Sequence, residues 1–352
     1  MLACDLHVHL DGSLREETFV ELACREGLLP SPEAAAAFAR DLRFRPGMDL
    51  AGCLARFGTT VGLLQTSESL RRVARELVAD SYLDGVRHVE IRFCPALHTR
   101  SGLRPEEALG AVVAGCEDGL GDISEMVPGD RMSFGVVPVV LEGTASGEAE
   151  ATVDLALERR EAGVVGLDIA GDEALFDASR YRRAVERARE GGLGVTVHAG
   201  ETGPPSNVRD ALLVLEADRI GHGTSAARDP GVIDLLARRG ATVEACLTSN
   251  VHTGSVARIE DHPLPRLLGC GVSVALATDN RFFSATTLSA EFDAAAGLLG
   301  LGADDLRSLA IESARAAFLN DEERLDLSRR VARSFDTGAT HGVPESETES
   351  AA

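Results

Sequence analysis

Four short motifs in the 352-residue chain carry side chains that could do chemistry. "DLHVHLDGS" holds His7 and His9, "VHAGET" holds His198 and Glu201, "RIGHGT" holds His222, and "LATDNR" holds Asp279 and Asn280. Residues i and i+2 of a strand project from one face, so His7 and His9 can share a single ligand. Three imidazoles and a carboxylate (His7, His9, His198, Asp279) suit a borderline ion such as zinc, at about 2.0–2.2 Å, with one position left for water. Water held this way has its pKa lowered to about 7, which makes hydroxide available for attack on an electron-poor carbon. Glu201 and His222 remain as acid–base groups. One would hold or deprotonate the water, and the other would protonate the substrate where electrons accumulate. Taken singly, each motif has an ordinary structural explanation; together they make a metal site if the fold delivers them to one place.

The elements that must do so are legible as eight short apolar, β-branched runs: 3–9, 86–93, 133–141, 164–170, 194–200, 218–223, 241–247 and 272–279. Helical patterns separate most of them. "YRRAVERAREGG" ends on Gly191 and Gly192 as stop signals, and "DPGVIDLLARRG" begins with Asp229 as N-cap and Pro230 at the first helical position. Strand then helix, eight times, predicts an α/β fold of the (β/α)8 TIM-barrel type, in which chemistry gathers at the C-terminal strand ends. The motifs lie at the ends of the first, fifth, sixth and eighth runs. Residues 10–85 hold more than one helix, either as a wall or lid over the barrel mouth or as an ordinary packed excursion. A single domain is expected over 1–336, followed by a disordered, acidic tail over 337–352 that contains His341.

Composition narrows the chemistry. Every one of the 35 basic residues is arginine, so lysine Schiff bases, the Walker phosphate loop and a carboxylated lysine bridging two metals are all excluded. Seven scattered cysteines form no Cys-x-x-Cys and read as reduced, mostly buried thiols. A net charge of −21 disfavours nucleic acid and anionic membrane as partners. No run reaches the roughly 18 apolar residues of a membrane span, and "MLACDLHVHL" lacks a basic segment before an apolar one, so a cytoplasmic location is expected.

In this order, and together with "RFGTTVGLLQT", "VEIRFCPALHTRSGL", "GLDIAGDE", "EACLTSNVHTGSV" and "LATDNRFFSATTLSAEF", these motifs resemble the adenosine deaminase family of the amidohydrolase superfamily over about residues 3–330. The His-x-Glu and Pro-Cys-x-x-Cys signature of the other zinc deaminase class is absent. The resemblance implies one zinc per chain, a small purine nucleoside as partner, and hydrolytic loss of the C6 amino group. It implies that Glu201 donates a proton to purine N1, with burial keeping its carboxyl protonated. By the same resemblance His222 orients the water, and Asp279 binds metal and accepts a hydrogen bond from that water. His9, Asp11, Gly171 and Asn280 would face substrate: Asp11 toward the ribose 5′-hydroxyl, the Gly171 N–H toward N3 and Asn280 toward N7.

Two residues depart from the family pattern. Asn280 stands where many members carry aspartate, and its amide keeps a donor for N7. Leu247 stands where proline is usual, and only a local backbone effect is expected. Adenosine and 2′-deoxyadenosine are the first reading; adenine or aminodeoxyfutalosine on the same machinery is the alternative, and a barrel that binds without catalysis is a remote one.

Overall fold

The expected runs form eight strands: β1 Ala3–His9, β2 Val86–Phe93, β3 Ser133–Leu141, β4 Gly166–Ala170, β5 Gly194–Ala199, β6 Arg219–His222, β7 Thr242–Ala245 and β8 Ser273–Leu276. In the computed structural model, which describes residues 1–336, they pair in parallel in chain order from β1 to β8. The seam between β8 and β1 is made by backbone bonds of one residue, Asp279. Its N–H donates to His7 O at 2.8 Å, and its carbonyl accepts from His9 N at 2.7 Å. The expected (β/α)8 barrel is therefore present; the expected tail from 337 lies outside the described residues.

The regular strands stop short of the sequence runs at several ends, for a physical reason. His222 and Asp279 have φ of 63° and 58°, left-handed values that interrupt extended pairing and cost a non-glycine residue energy. In the seventh run, Leu247 is already the first residue of the helix Leu247–His252. The marked helix signals behave as read. Asp229 accepts from Gly231 N ahead of Pro230–Arg239, and Ala178–Glu190 stops directly before the glycine pair.

Residues 10–85 contain four helices: α1 Glu16–Arg25, α2 Pro32–Leu42, α3 Leu50–Leu63 and α4 Ser67–Leu83. Both readings of this interval hold, for different helices. α4 packs on the barrel flank, where Gly115 of the helix Pro105–Met126 lies so close to Arg71 O that a Cβ would sit 2.2 Å from it. α3 instead crosses the barrel mouth, started by Asp49 accepting from Gly52 N at 2.8 Å, and it presents Leu50, Cys53, Leu54, Phe57 and Val61 to the cavity below. Among the described residues all seven cysteines are free, five of them buried, and no helix is long and apolar enough to cross a membrane.

Candidate active site

The barrel brings the predicted imidazoles and Asp279 to the C-terminal rim. His7 Nδ1 pairs with Glu244 Oε2 of β7 at 2.8 Å, and His198 Nδ1 pairs with Asp168 of β4 at 3.1 Å. Each Nδ1 proton is thus committed to a carboxylate, which leaves a lone pair on each Nε2. Those lone pairs face one another and an anion: His9 Nε2 lies 3.4 Å from His198 Nε2, and Asp279 Oδ1 lies 3.4 Å from His7 Nε2 and 3.3 Å from His9 Nε2. His7 Nε2 is buried without a hydrogen-bond partner. Such a set repels itself unless a cation sits among it, so these residues fit a metal ion. The ligand atoms fall into two overlapping triples, His7–His9–Asp279 and His7–His198–His222.

Beneath the rim lies a buried ionic layer. Arg92 Nη1 donates to Asp168 at 3.0 Å, its Nη2 donates to Glu244 at 3.1 Å and to Leu6 O at 2.6 Å, and Arg219 Nε lies 2.7 Å from Glu244. Burial alone would oppose ionisation of these carboxyls. His198 and Arg92 beside Asp168, and Arg92 and Arg219 beside Glu244, nevertheless hold both below the usual carboxylate range. Ionised carboxylates hold His7 and His198 in the ligating tautomer. Ser249 Oγ donates to Asp279 Oδ2 at 2.5 Å, which leaves Oδ1 facing His7 and His9.

Glu201 and His222 lie side by side, with Glu201 Oε2 3.7 Å from His222 Nε2. Burial, with the nearby Asp279 charge adding to it, pushes the Glu201 carboxyl up to about 8. This is the direction a proton donor working at neutral pH needs. Burial also holds His222 neutral, well below the usual imidazole range. Both side chains open into a cavity of about 280 Å³ that also meets His9, Asp11, Gly171 and Asn280. Phe44, Phe57, Val61 and Leu97 give it apolar walls. Gly171 has φ 137°, which a side chain would resist, and Gly12 leaves room for Asn280 Oδ1, which a Cβ would approach to 1.9 Å. Burial pushes Asp11 up to about 7. A larger cavity of about 1260 Å³ lies at the opposite end of the barrel, lined by Arg160, Arg189, Asp218 and Glu312 and far from the imidazoles. Chemistry rather than size places the site.

Every candidate site residue read from the sequence therefore reaches one rim or the cavity above it. The sequence reading missed Asp168, Glu244, Arg92, Ser249, Asn250 and His262, which orient those groups from beneath or beside. A signal existed for the first three: each is a charge inside a strand, in "GLDIA", "TVEA" and "VEIRF", the last of which also carries Glu90. Charges in fully buried strands need partners.

A parallel eight-stranded barrel, with convergent imidazoles at its C-terminal rim and an acid–base pair beside them, defines a metal-dependent barrel hydrolase. The family described as adenosine deaminase matches residues 3–334. An adenosine deaminase of Klebsiella pneumoniae is 35% identical over 336 residues, covering 94% of this chain and 97% of that enzyme. Among solved structures, adenine deaminase from Arthrobacter aurescens superposes with a TM-score of 0.83 at 27% identity, covering 95% of this chain and 99% of that one. An amidohydrolase from Burkholderia ambifaria solved with bound Zn gives 0.85 at 26%, covering 96% and 91%. The chain belongs to the adenosine deaminase family, whose reaction is hydrolysis at a purine amino group.

Proposed function

We propose that this protein hydrolyses adenosine and 2′-deoxyadenosine to the corresponding inosines and ammonia, using one zinc ion held by His7, His9, His198 and Asp279. The observation that carries the reading is the pairing of Glu201 with His222 at 3.7 Å beside those ligands, on the floor of a cavity with apolar walls. A bound zinc would supply a water nucleophile acidic enough to act at neutral pH. The chain's own groups do the rest. Glu201, protonated through burial, gives its proton to purine N1 as C6 is attacked. His222 orients the attacking oxygen, and Asp279 accepts a hydrogen bond from it while holding the metal. The Gly171 N–H takes N3 and the Asn280 amide takes N7. Asp11 accepts the ribose 5′-hydroxyl, and a carboxyl at that place favours a nucleoside over AMP. It also favours a nucleoside over adenine, which has no ribose to offer.

The test is ammonia release by zinc-loaded protein from adenosine, 2′-deoxyadenosine, adenine, AMP and aminodeoxyfutalosine, with metal content measured on the same sample. Adenosine or deoxyadenosine should lead by tenfold or more in kcat/KM. A tenfold lead by any of the others would overturn the substrate assignment, and full activity with no metal or with two ions would overturn the metal assignment.

A further inference from the structure

His222 belongs to one of the two possible ligand triples and also to the acid–base pair, and it cannot serve both with the same nitrogen. Which it does depends on where its ring proton sits. A chain of buried hydrogen bonds decides this, starting from a group that can only donate. Leu264 N donates to His262 Nδ1 at 3.1 Å, so that nitrogen carries a lone pair. His262 is neutral, because burial depresses it to about 4, and its proton is therefore on Nε2. His262 Nε2 lies 3.2 Å from Asn250 Oδ1, the acceptor end of that amide. The donor end, Asn250 Nδ2, lies 3.0 Å from His222 Nδ1. His222 Nδ1 must then accept, and the proton of its neutral ring is on Nε2.

We propose that Asn250 and His262 are positioning residues that fix His222 as the Nε2–H tautomer, so that it donates a hydrogen bond toward the reacting atoms and does not bind the metal. The assignment rests on the reading of His222 as a group beside the nucleophile. Nε2 is the nitrogen that lies 3.7 Å from Glu201, on a ring whose centroid is 4.9 Å from that of His7 and 5.1 Å from that of His198. With a proton there it has no lone pair for a metal, which leaves His7, His9, His198 and Asp279 as the ligand set. Nor can it take a proton from water at that atom; it holds the oxygen in place by donating to it. The relay is sealed: Asn250 is fully buried, and His222 and His262 are 2% and 4% exposed, so bulk water cannot re-pair any member.

The direction of the relay makes it testable. Asn250→Asp puts an acceptor against His222 Nδ1 and should move the proton there, inverting the tautomer. His262→Glu, also acceptor-only, should turn the Asn250 amide end for end and produce the same inversion at a distance. His262→Gln, whose amide can still donate to Asn250 Oδ1, should preserve the wild-type state. The readout is the ¹⁵N spectrum of histidine-labelled, zinc-loaded protein, in which protonated and unprotonated ring nitrogens are distinct. Wild type and His262→Gln should show His222 protonated at Nε2, and the two acidic variants should show it at Nδ1. Their kcat should fall by up to about 10⁴-fold with KM little changed, the loss that follows when a histidine tautomer is reversed in a serine-protease triad. His222 protonated at Nδ1 in wild type would overturn the proposal, as would an acidic variant that folds, keeps its zinc and retains Nε2–H. The spectrum needs no substrate, so a correct tautomer without adenosine turnover would count against the proposed function and leave the relay standing.

Discussion

Replacing Glu201 with glutamine removes one proton and almost no volume, and its consequence follows from the burial of that carboxyl. At pH 7 an acid titrating at about 8 is about 90% protonated, whereas one at the ordinary 4.5 would be about 0.3% protonated, so burial raises the acid form roughly 300-fold. Glutamine can still donate a hydrogen bond to N1 but cannot transfer the proton. General acid catalysis is typically worth about 10²–10⁴-fold, and kcat for Glu201→Gln should fall by that factor while zinc content stays at wild type. The pH profile gives a second handle with a definite sign. The acid form is lost as pH rises, so wild-type activity should decline on the alkaline side. A cation among the imidazoles favours the carboxylate and draws that decline to lower pH, whereas purine lying over the carboxyl draws it to higher pH. Residual activity of the variant should lack this limb. Steady-state ammonia release from pH 5 to 10, with metal analysis, tests both points; kcat within tenfold of wild type, or the same alkaline limb in the variant, would refute the reasoning.

At about pH 8.5, where a carboxyl titrating at about 7 is ionised, Asp11→Ala should lower kcat/KM for adenosine by roughly 10- to 150-fold, the worth of a hydrogen bond to a charged partner, and leave adenine untouched. The adenosine to 5′-deoxyadenosine ratio checks it, since an unchanged ratio would leave Asp11 as a turn residue. Gly12→Ala would place a Cβ 1.9 Å from Asn280 Oδ1, so the amide must move; overpacking of about 1–3 kcal/mol should appear as a raised KM for adenosine, measured beside a thermal melt. Leu247→Pro should cost about 1 kcal/mol in a denaturant titration. Proline suits a first helical position, but it removes an N–H near enough to the buried Glu291 carboxyl to favour its ionised form, beside the Thr248 N–H that donates to that carboxyl at 3.2 Å.

That last contact shows where sequence reading stops. The barrel was legible because its strands are short, largely apolar, β-branched runs alternating with helical patterns, and the proposed ligands were legible because histidines at strand ends converge in any such barrel. The strand limits were less so, since nothing in the residue types of His222 and Asp279 announces their left-handed backbone. Asp168 and Glu244 carried a warning as charges inside buried strands, but their partners Arg92 and Arg219 lie tens to more than a hundred residues away. Asn250 and His262 carried none: an amide in a short helix and a histidine before a proline become meaningful only once Leu264 N fixes the direction of their bonds. For Leu247 a local backbone effect was the expectation; the structure places it at the start of a short helix, next to the Thr248 N–H that donates to Glu291.

The seam at Asp279 has a consequence for how the molecule comes together. The residue that joins the last strand to the first is itself a proposed ligand, and its backbone partners, His7 and His9, are two more. Closure therefore spans some 270 residues of chain, among the most distant contacts the molecule makes and among the slowest to form. Until it forms, no part of the chain holds the proposed four-ligand set. An ion bound there would tie the two chain-distant edges together, and by mass action its removal should loosen this seam.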